Sequence, residues 1–333
     1  MEHIDSLSEV LAICRAERAV TARFALRAPW ALRSEGVPGA MIRVAQGPAY
    51  WLQVEGCEPV LVQSGDLVVL PHGSAHVMAS DLALEPVAFA EMIERFAVGP
   101  RDANPLMFAH GGRGAPQAGS GTEFPGTSID SALLWICAYG RHSILSLLPP
   151  LLHVPASRSA AWPALAAGLR AMVGDTLQRR AGWRLAAARI GELLLMQALR
   201  DYFSDQVEPG QGWVRGLADP QVARAIAAIH GAPGRGWTVQ SLARQAAMSR
   251  SRFAERFKNL VGQPPIGYLS QHRMAFAAQQ LEADILALAE IAEQTGYESE
   301  RVFARAFKRW SGLTPRSYQK RAQALRQQFV AMV

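Results

Sequence analysis

The last third of the chain repeats itself. Phe253, Phe257, Lys258, Gly262, Pro265 and Tyr268 recur fifty residues later as Phe303, Phe307, Lys308, Gly312, Pro315 and Tyr318. The preceding segments match too. LARQAAMSRSRFAERFK, from Leu242 to Lys258, lies over IAEQTGYESERVFARAFK, from Ile291 to Lys308, once a single extra residue is allowed in the second turn. Self-similarity of this kind marks one supersecondary unit used twice. Each copy reads as a short helix, a turn and a longer amphipathic helix, which is the pattern of a helix-turn-helix.

Local signals support that reading. Val239, Leu242, Ala243 and Ala246 keep helical spacing, and Ser249 stands where an N-cap belongs, its hydroxyl placed to accept from a free N–H of the next turn. Phe253, Phe257 and Leu260 then face the core, which leaves Arg250, Ser251, Glu255 and Lys258 outside. The second copy repeats this with Leu288, Ile291 and Ala292, a turn at Gly296, and a helix from about Ser299 through Phe303, Phe307 and Trp310. Its outer face carries Glu300, Arg301, Ala304 and Arg305. The units span about 239–262 and 288–312, joined by a helix that starts after Pro264 and Pro265 and runs through Leu281.

The aromatic stripes are core in any helical bundle, so the outer faces carry the functional information. From Gln221 to Val333 there are sixteen Lys and Arg against seven Asp and Glu, whereas the preceding residues hold eighteen against twenty-one. The whole positive balance of the chain, +6, therefore sits in the repeated region, as an electrostatic footprint for phosphates requires. Two helix-turn-helix units held by a helical rod suit successive major-groove segments about 34 Å apart on double-stranded DNA.

Residues 219 to about 325 resemble the DNA-binding domain of the AraC/XylS family of bacterial transcription regulators. The resemblance rests on DPQVARAIAAIH, the Ser-x-Ser-x-Phe-x-x-x-Phe-Lys start from Ser249, IAEQTGYES and FARAFKRWSGLTPRSY. It implies that exposed positions at the start of each second helix read bases: Arg250, Ser251, Arg252 and Glu255 in the first, Glu300, Arg301, Ala304 and Arg305 in the second. Arginine suits guanine O6 and N7, and Glu255 or Glu300 can accept from cytosine N4, or else serve only as a solvated helix-start charge. Lys258 and Lys308 are expected on phosphate, which positions without specifying.

The front of the chain reads as strands: Ala22 to Leu26, Ala40 to Ala45, Tyr50 to Val54 and Leu67 to Leu70 are short, apolar or alternating, and broken by Gly, Pro and Asp. SGDLVVLPHGSAH, from Ser64 to His76, resembles the second motif of cupin domains, and AHGGRGAPQAG with ALLWICAYG and LLPPLLHVP resembles the cupin-type sensor at the front of one AraC subgroup. The expected fold is thus multidomain α+β. A cupin-like β-barrel with a helical dimerisation segment (1–205, helices about 157–205) is followed by a linker (206–218) and an all-α tandem helix-turn-helix domain (219–325).

A barrel with an internal cavity is a natural place for a small-molecule effector. Its candidate lining is Trp30, Arg43, Tyr50, Trp51 and His76, each also readable as plain core, edge charge or strand-end residue. Cupins also include metalloenzymes, which want a His-x-His pair and a carboxylate on an early strand. MIRVA and YWLQVEG contain no His, and His72 and His76 lie in a loop, so neither a metal, a cofactor nor catalysis is expected, and a cupin-type metalloenzyme fused to a DNA-binding tail stands as the alternative reading.

Trp162, Leu165, Leu169 and Met172 form one helical stripe, and Leu185, Ile190, Leu193, Leu194, Met196, Gln197 and Leu199 another. IGELLLMQAL is apolar around more of its circumference than a surface helix needs, so it is expected to pack on both the barrel and a partner, which predicts a homodimer through this pair of helices; the alternative is that they only cap the barrel. Cys14, Cys57 and Cys137 show no CxxC spacing and are odd in number, as in a reduced cytoplasm. Cys137 is expected in the core and Cys57 in a hairpin turn, where a thiol-controlled regulator is a second reading despite the acidic neighbours Glu55 and Glu58. No apolar run approaches the ~20 residues of a membrane span, so a soluble cytoplasmic protein is expected.

Overall fold

The computed structural model describes residues 15–89, 91, 106–110, 126–158, 162–177, 182–205, 216 and 219–331. The front half is built on eleven strands among the described residues: β1 (Ala16–Leu26), β2 (Ala31–Ser34), β3 (Ala40–Gln46), β4 (Tyr50–Val54), β5 (Val60–Val62), β6 (Leu67–Leu70), β7 (His76–Ala79), β8 (Val87–Ala88), β9 (Leu106–His110), β10 (Thr127–Ile136) and β11 (Leu152–Val154). They form a six-stranded sheet, β11-β6-β3-β10-β1-β9, and a five-stranded sheet, β5-β4-β7-β2-β8. The long pair β1–β10 is antiparallel, with Phe24 opposite Ile129 and Leu26 opposite Thr127.

Burial explains which strands alternate. β4 reads buried, intermediate, buried, exposed, buried, so one face of this strand points into the barrel and the other outward. The first six residues of β3, by contrast, are all buried, as expected of a strand covered on both sides. Among the described residues two α-helices follow the strands: α2 (Trp162–Leu177), which packs on β1 and β10, and α3 (Trp183–Asp205), which clusters with the strands as far as Leu199. Gly191 of α3 sits where a Cβ would come within 2.5 Å of Leu134 on β10, so its missing side chain sets the close approach of helix and sheet.

The C-terminal unit contains α4 (Pro220–Gly231), α5 (Val239–Gln245), α6 (Arg250–Val261), α7 (Pro265–Ala283), α8 (Leu288–Gln294), α9 (Glu300–Ser311) and α10 (Pro315–Ala331). It also includes a short helix from much earlier in the chain, α1 (Ala138–Ser143), which clusters with these helices rather than with the strands. Ala138 joins the core formed by Met274, Ala277, Leu281, Phe303 and Phe307, Tyr139 is hydrogen-bonded to His272 at 2.5 Å, and Arg141 donates to Glu282 at 2.5 Å. Cys137, expected in the core, is buried at the start of this helix. Cys57 is half-buried in a turn closed by its N–H on the Val54 carbonyl at 3.0 Å. Cys14 and the expected linker, Gly216 excepted, lie outside the described residues.

Candidate nucleic-acid interface and barrel interior

Each helix-turn-helix is assembled from its own signals. Thr238 caps α5 by accepting from the Ser241 N–H at 3.1 Å while the Ser241 hydroxyl accepts from the Thr238 N–H at 2.9 Å, a reciprocal capping box. α8 begins differently, with the Glu290 carboxylate accepting from the Ala287 N–H at 2.8 Å. Ser299 caps α9 through a 3.4 Å bond from the Val302 N–H. Ser249 holds the equivalent place before α6 but its hydroxyl makes no capping bond, contrary to the expectation from sequence. The extended backbone at Ser249, φ −66° and ψ 153°, still breaks the chain there. Both α6 and α9 end on a left-handed glycine, Gly262 at φ 83° and Gly312 at φ 76°.

The aromatic positions of the repeat make the same contacts in both copies. Phe253 and Phe257 lie 5.5 Å apart and Phe257 meets Tyr268 edge-on at 5.7 Å; Phe303 and Phe307 lie 5.7 Å apart and Phe307 meets Tyr318 edge-on at 5.2 Å. All four phenylalanines are fully buried. Leu260, expected in the core stripe, is only half-buried, and Val261 takes the inner position.

The outward positions are those on which base reading would depend. Arg250, Ser251, Arg252, Glu255 and Lys258 are exposed on α6, as are Glu300, Arg301, Arg305 and Lys308 on α9, while Ala304 is half-buried. Superposing the repeats sets Arg250 against Glu300 and Glu255 against Arg305, so two equivalent positions carry opposite charges. Arg252 is matched by Val302, a large apolar side chain 45% exposed beside charged neighbours. Sequence reasoning passed over Val302, whose exposure on the outer face of α9 the burial pattern makes plain. It also passed over Arg256, which is exposed on α6 but pairs with Asp219 at the start of α4. Asp219 Oδ1 accepts from the Gln221 and Val222 N–H groups, both at 3.0 Å, capping α4, and Oδ2 accepts from Arg256 Nε at 2.8 Å.

Inside the barrel the structure brings together four of the five candidate lining residues. Arg43 is no edge charge: β3 lies between β6 and β10, and the Arg43 side chain reaches Met78 of the other sheet, with Nη1 2.8 Å from its sulfur. Tyr50 is buried with its ring 5.8 Å from that of Trp30, and His76 is buried at the start of β7. Trp51 is the exception. It follows Tyr50 on an alternating strand, so it occupies the opposite face and is half-buried there. His72 is held by the Leu148 carbonyl at 3.1 Å. Among the described residues no three His, Cys, Asp or Glu side chains converge as a metal site needs, and no helix is long and apolar enough to cross a membrane.

Residues 5–204 match the family profile of a cupin, and residues 242–321 match that of a helix-turn-helix domain. The chain is 31% identical over 322 residues to a putative AraC-like transcription regulator of Streptomyces lividans, covering 95% of this chain and 98% of the relative. The chain belongs to the AraC family of transcription regulators. Another relative, the HTH-type transcriptional regulator AlkR of Acinetobacter baylyi, is 30% identical over 84% of this chain and 87% of its own. Among solved structures, the DNA-binding domain of AdpA in complex with a target DNA is similar to the C-terminal unit, at 31% identity over 33% of this chain and 98% of that one, with a TM-score of 0.31. As an AraC-family member the protein is a DNA-binding transcription regulator with a cupin-like N-terminal domain.

Proposed function

We propose that this regulator reads an asymmetric DNA site with two non-equivalent helices and responds to a small molecule held in its N-terminal barrel. The observation that carries the first part is the charge reversal at equivalent positions, Arg250 against Glu300 and Glu255 against Arg305. A symmetric pair of readers would favour two copies of one half-element. Opposite charges favour different bases, because arginine donates to guanine and glutamate accepts from cytosine. In this reading Arg250, Ser251, Arg252, Glu255, Glu300, Arg301, Ala304 and Arg305 meet bases, Val302 meets a thymine methyl, and Lys258 and Lys308 meet phosphate. Selection of binding sites from random duplexes tests it: two different half-elements about one helical turn apart are expected, and a palindromic or featureless result overturns the reading.

The sensor part is supported by the cupin match and by polar side chains inside the barrel. An effector acts by binding the DNA-competent and incompetent states with different affinity, which shifts their populations. This is a regulatory rather than a catalytic use of the fold. Pairing of two protomers through α2 and α3 belongs to the same proposal. Leu185 and Leu193, both in the apolar stripe of α3, are 62% and 45% exposed, eight positions apart on one helix face, which leaves them free for a partner. Sedimentation should show a dimer that Leu193→Glu dissociates; a wild-type monomer at micromolar concentration overturns it.

A further inference from the structure

The interior of the barrel contains a cation for which the described residues supply no counter-charge. The Arg43 side chain is 3% exposed, and among the described residues no carboxylate pairs with it. Burial pushes its pKa down only to about 10, so the guanidinium is charged at neutral pH. One Nη is spent on the weak acceptor Met78, and Nε has no hydrogen-bond partner among the described residues. Asp66, the nearby acid, is already committed to the Gln63 and Ala156 N–H groups at 2.9 Å and to His153 at 2.8 Å.

Near Arg43, three more buried polar atoms have no hydrogen-bond partner among the described residues: the Tyr50 hydroxyl, Trp30 Nε1 and His76 Nε2. All belong to this interior, since Tyr50 and Trp30 share a ring contact, and the register of β4 with β7 sets His76 against Val54 and Met78, which Arg43 reaches, against Leu52, on the inward face that Tyr50 also occupies. Burial drives Tyr50 up to about 12, which keeps its hydroxyl a donor. His76 Nδ1 donates to the Ser74 carbonyl at 2.7 Å, which leaves Nε2 as a lone-pair acceptor. A buried polar atom left unpaired costs on the order of 1 to 3 kcal/mol, and a buried charge more. Three such atoms beside a cation that is itself incompletely paired are costly for a core that needed only to be filled, and Met or Leu at position 43 would fill it without that cost.

We propose that the barrel interior is a binding site for a small monocarboxylate with an apolar body, whose carboxylate is held by Arg43 with the Tyr50 hydroxyl and Trp30 indole N–H as further donors. A planar guanidinium fork matches a carboxylate, and a single cation with neutral donors balances one negative charge rather than the two of a phosphate. Phe24, with its ring centroid 6.0 Å from the Arg43 guanidinium, and Leu52 and Met78 supply apolar surface beside it. The acceptor at His76 Nε2 favours a ligand that also carries a hydroxyl. The site names the ligand class of the sensor proposed above, and its regulatory consequence rests on that reading.

The test uses the full chain and a panel of benzoate, phenylacetate, salicylate and hexanoate, each beside its amide, with inorganic phosphate as a further probe. Calorimetry and thermal shift should detect at least one carboxylate and neither its amide nor phosphate. Arg43→Met should fold, with a melting temperature no lower than wild type, and should bind that carboxylate about tenfold or more weakly. Tyr50→Phe should weaken it less. Overturning results are binding of the amides or phosphate in preference to carboxylates, equal binding by Arg43→Met, or no panel member bound at millimolar concentration, which would leave these polar groups to solvent. A carboxylate that binds through Arg43 without altering DNA occupancy would keep the site and remove the sensor reading. A neutral effector that alters occupancy equally in Arg43→Met would do the reverse.

Discussion

Ala247 and Gly296 occupy the same place in the two helix-turn-helix turns, and both adopt left-handed backbone, at φ 52° and 72°. The hydrogen bonds around them match: the Ala247 N–H donates to the Arg244 carbonyl and the Met248 N–H to the Ala243 carbonyl, as the Gly296 N–H does to Glu293 and the Tyr297 N–H to Ala292. These paired bonds form a Schellman motif, whose left-handed residue is ordinarily glycine. The first copy therefore carries strain that the second avoids.

Ala247→Gly should stabilise the protein by about 0.5 to 1 kcal/mol, the relief of a left-handed side chain less the added freedom of glycine when unfolded. Gly296→Ala should destabilise it by roughly 2 kcal/mol or more, because a Cβ there adds left-handed strain and also meets the Gly234 carbonyl at 2.4 Å. Chemical denaturation of both variants checks this. A loss in Ala247→Gly would show that the alanine methyl packs usefully in spite of its exposure.

Arg256 sits on a reading helix yet serves the fold. Asp219→Ala should cost about 2 kcal/mol, most of it the lost cap of α4, since Arg256 is 44% exposed and solvent screens the ion pair. Arg256→Gln should cost less and leave base preference unchanged in site selection; altered preference would make Arg256 a reader. Burial opposes ionisation of Asp219, but bonds from the Val222 N–H, Arg256 and the Gln221 N–H outweigh it and hold its pKa below the usual 3.8. Its contribution is therefore complete above about pH 3.8 and is lost as pH falls through the lower folded value.

The histidines of the C-terminal unit should make it acid-sensitive at milder pH. His272 stacks on His230 at 4.2 Å, and His230 and His142 are hydrogen-bonded to the hydroxyls of Tyr268 and Tyr318 at 2.7 and 2.8 Å. Burial lowers His230 to about 4, burial with the Arg141 charge lowers His142 to about 4, and burial with His230 and Arg273 holds His272 well below 6.5. Between about 6.5 and 4 the unfolded chain takes up protons that the folded one refuses, so stability is full above 6.5 and falls through that window on acidification. Imidazole resonances of His142 and His230 that titrate near 6.5 in the folded protein would contradict this.

The repeat was legible because every signal that builds it is local: phenylalanines four apart, glycine or its substitute in the turn, proline at the next helix start. The strands from Ala40, Tyr50 and Leu67 were legible for the same reason. What escaped was long-range. Nothing near Tyr139 announces that a helix following β10 packs with Met274 and Phe307, more than a hundred residues later. Nor does Asp219 announce Arg256. In the barrel, Arg43 was visible as a charge amid apolar neighbours, but its burial depends on strands on both sides, and Trp51 parted from Tyr50 only through the pleat of β4.

The charge reversal between the reading helices makes the sharpest test of specificity. Arg305→Ala should relax preference at one half-element and weaken binding to the selected site by about 1 to 3 kcal/mol, the value of a bidentate guanine contact, while leaving the other half-element untouched. Val302→Ser should reduce preference for thymine in the same half-element. Lys308→Ala should weaken all duplexes alike and lower the slope of affinity against salt by about one unit, because a phosphate contact releases a counterion without reading a base. Quantitative binding of each variant to a set of single-base substitutions separates these outcomes. A uniform loss for Arg305→Ala would move that residue to the phosphate class, and loss at the half-element read by α6 would overturn the assignment of one half-element to each helix.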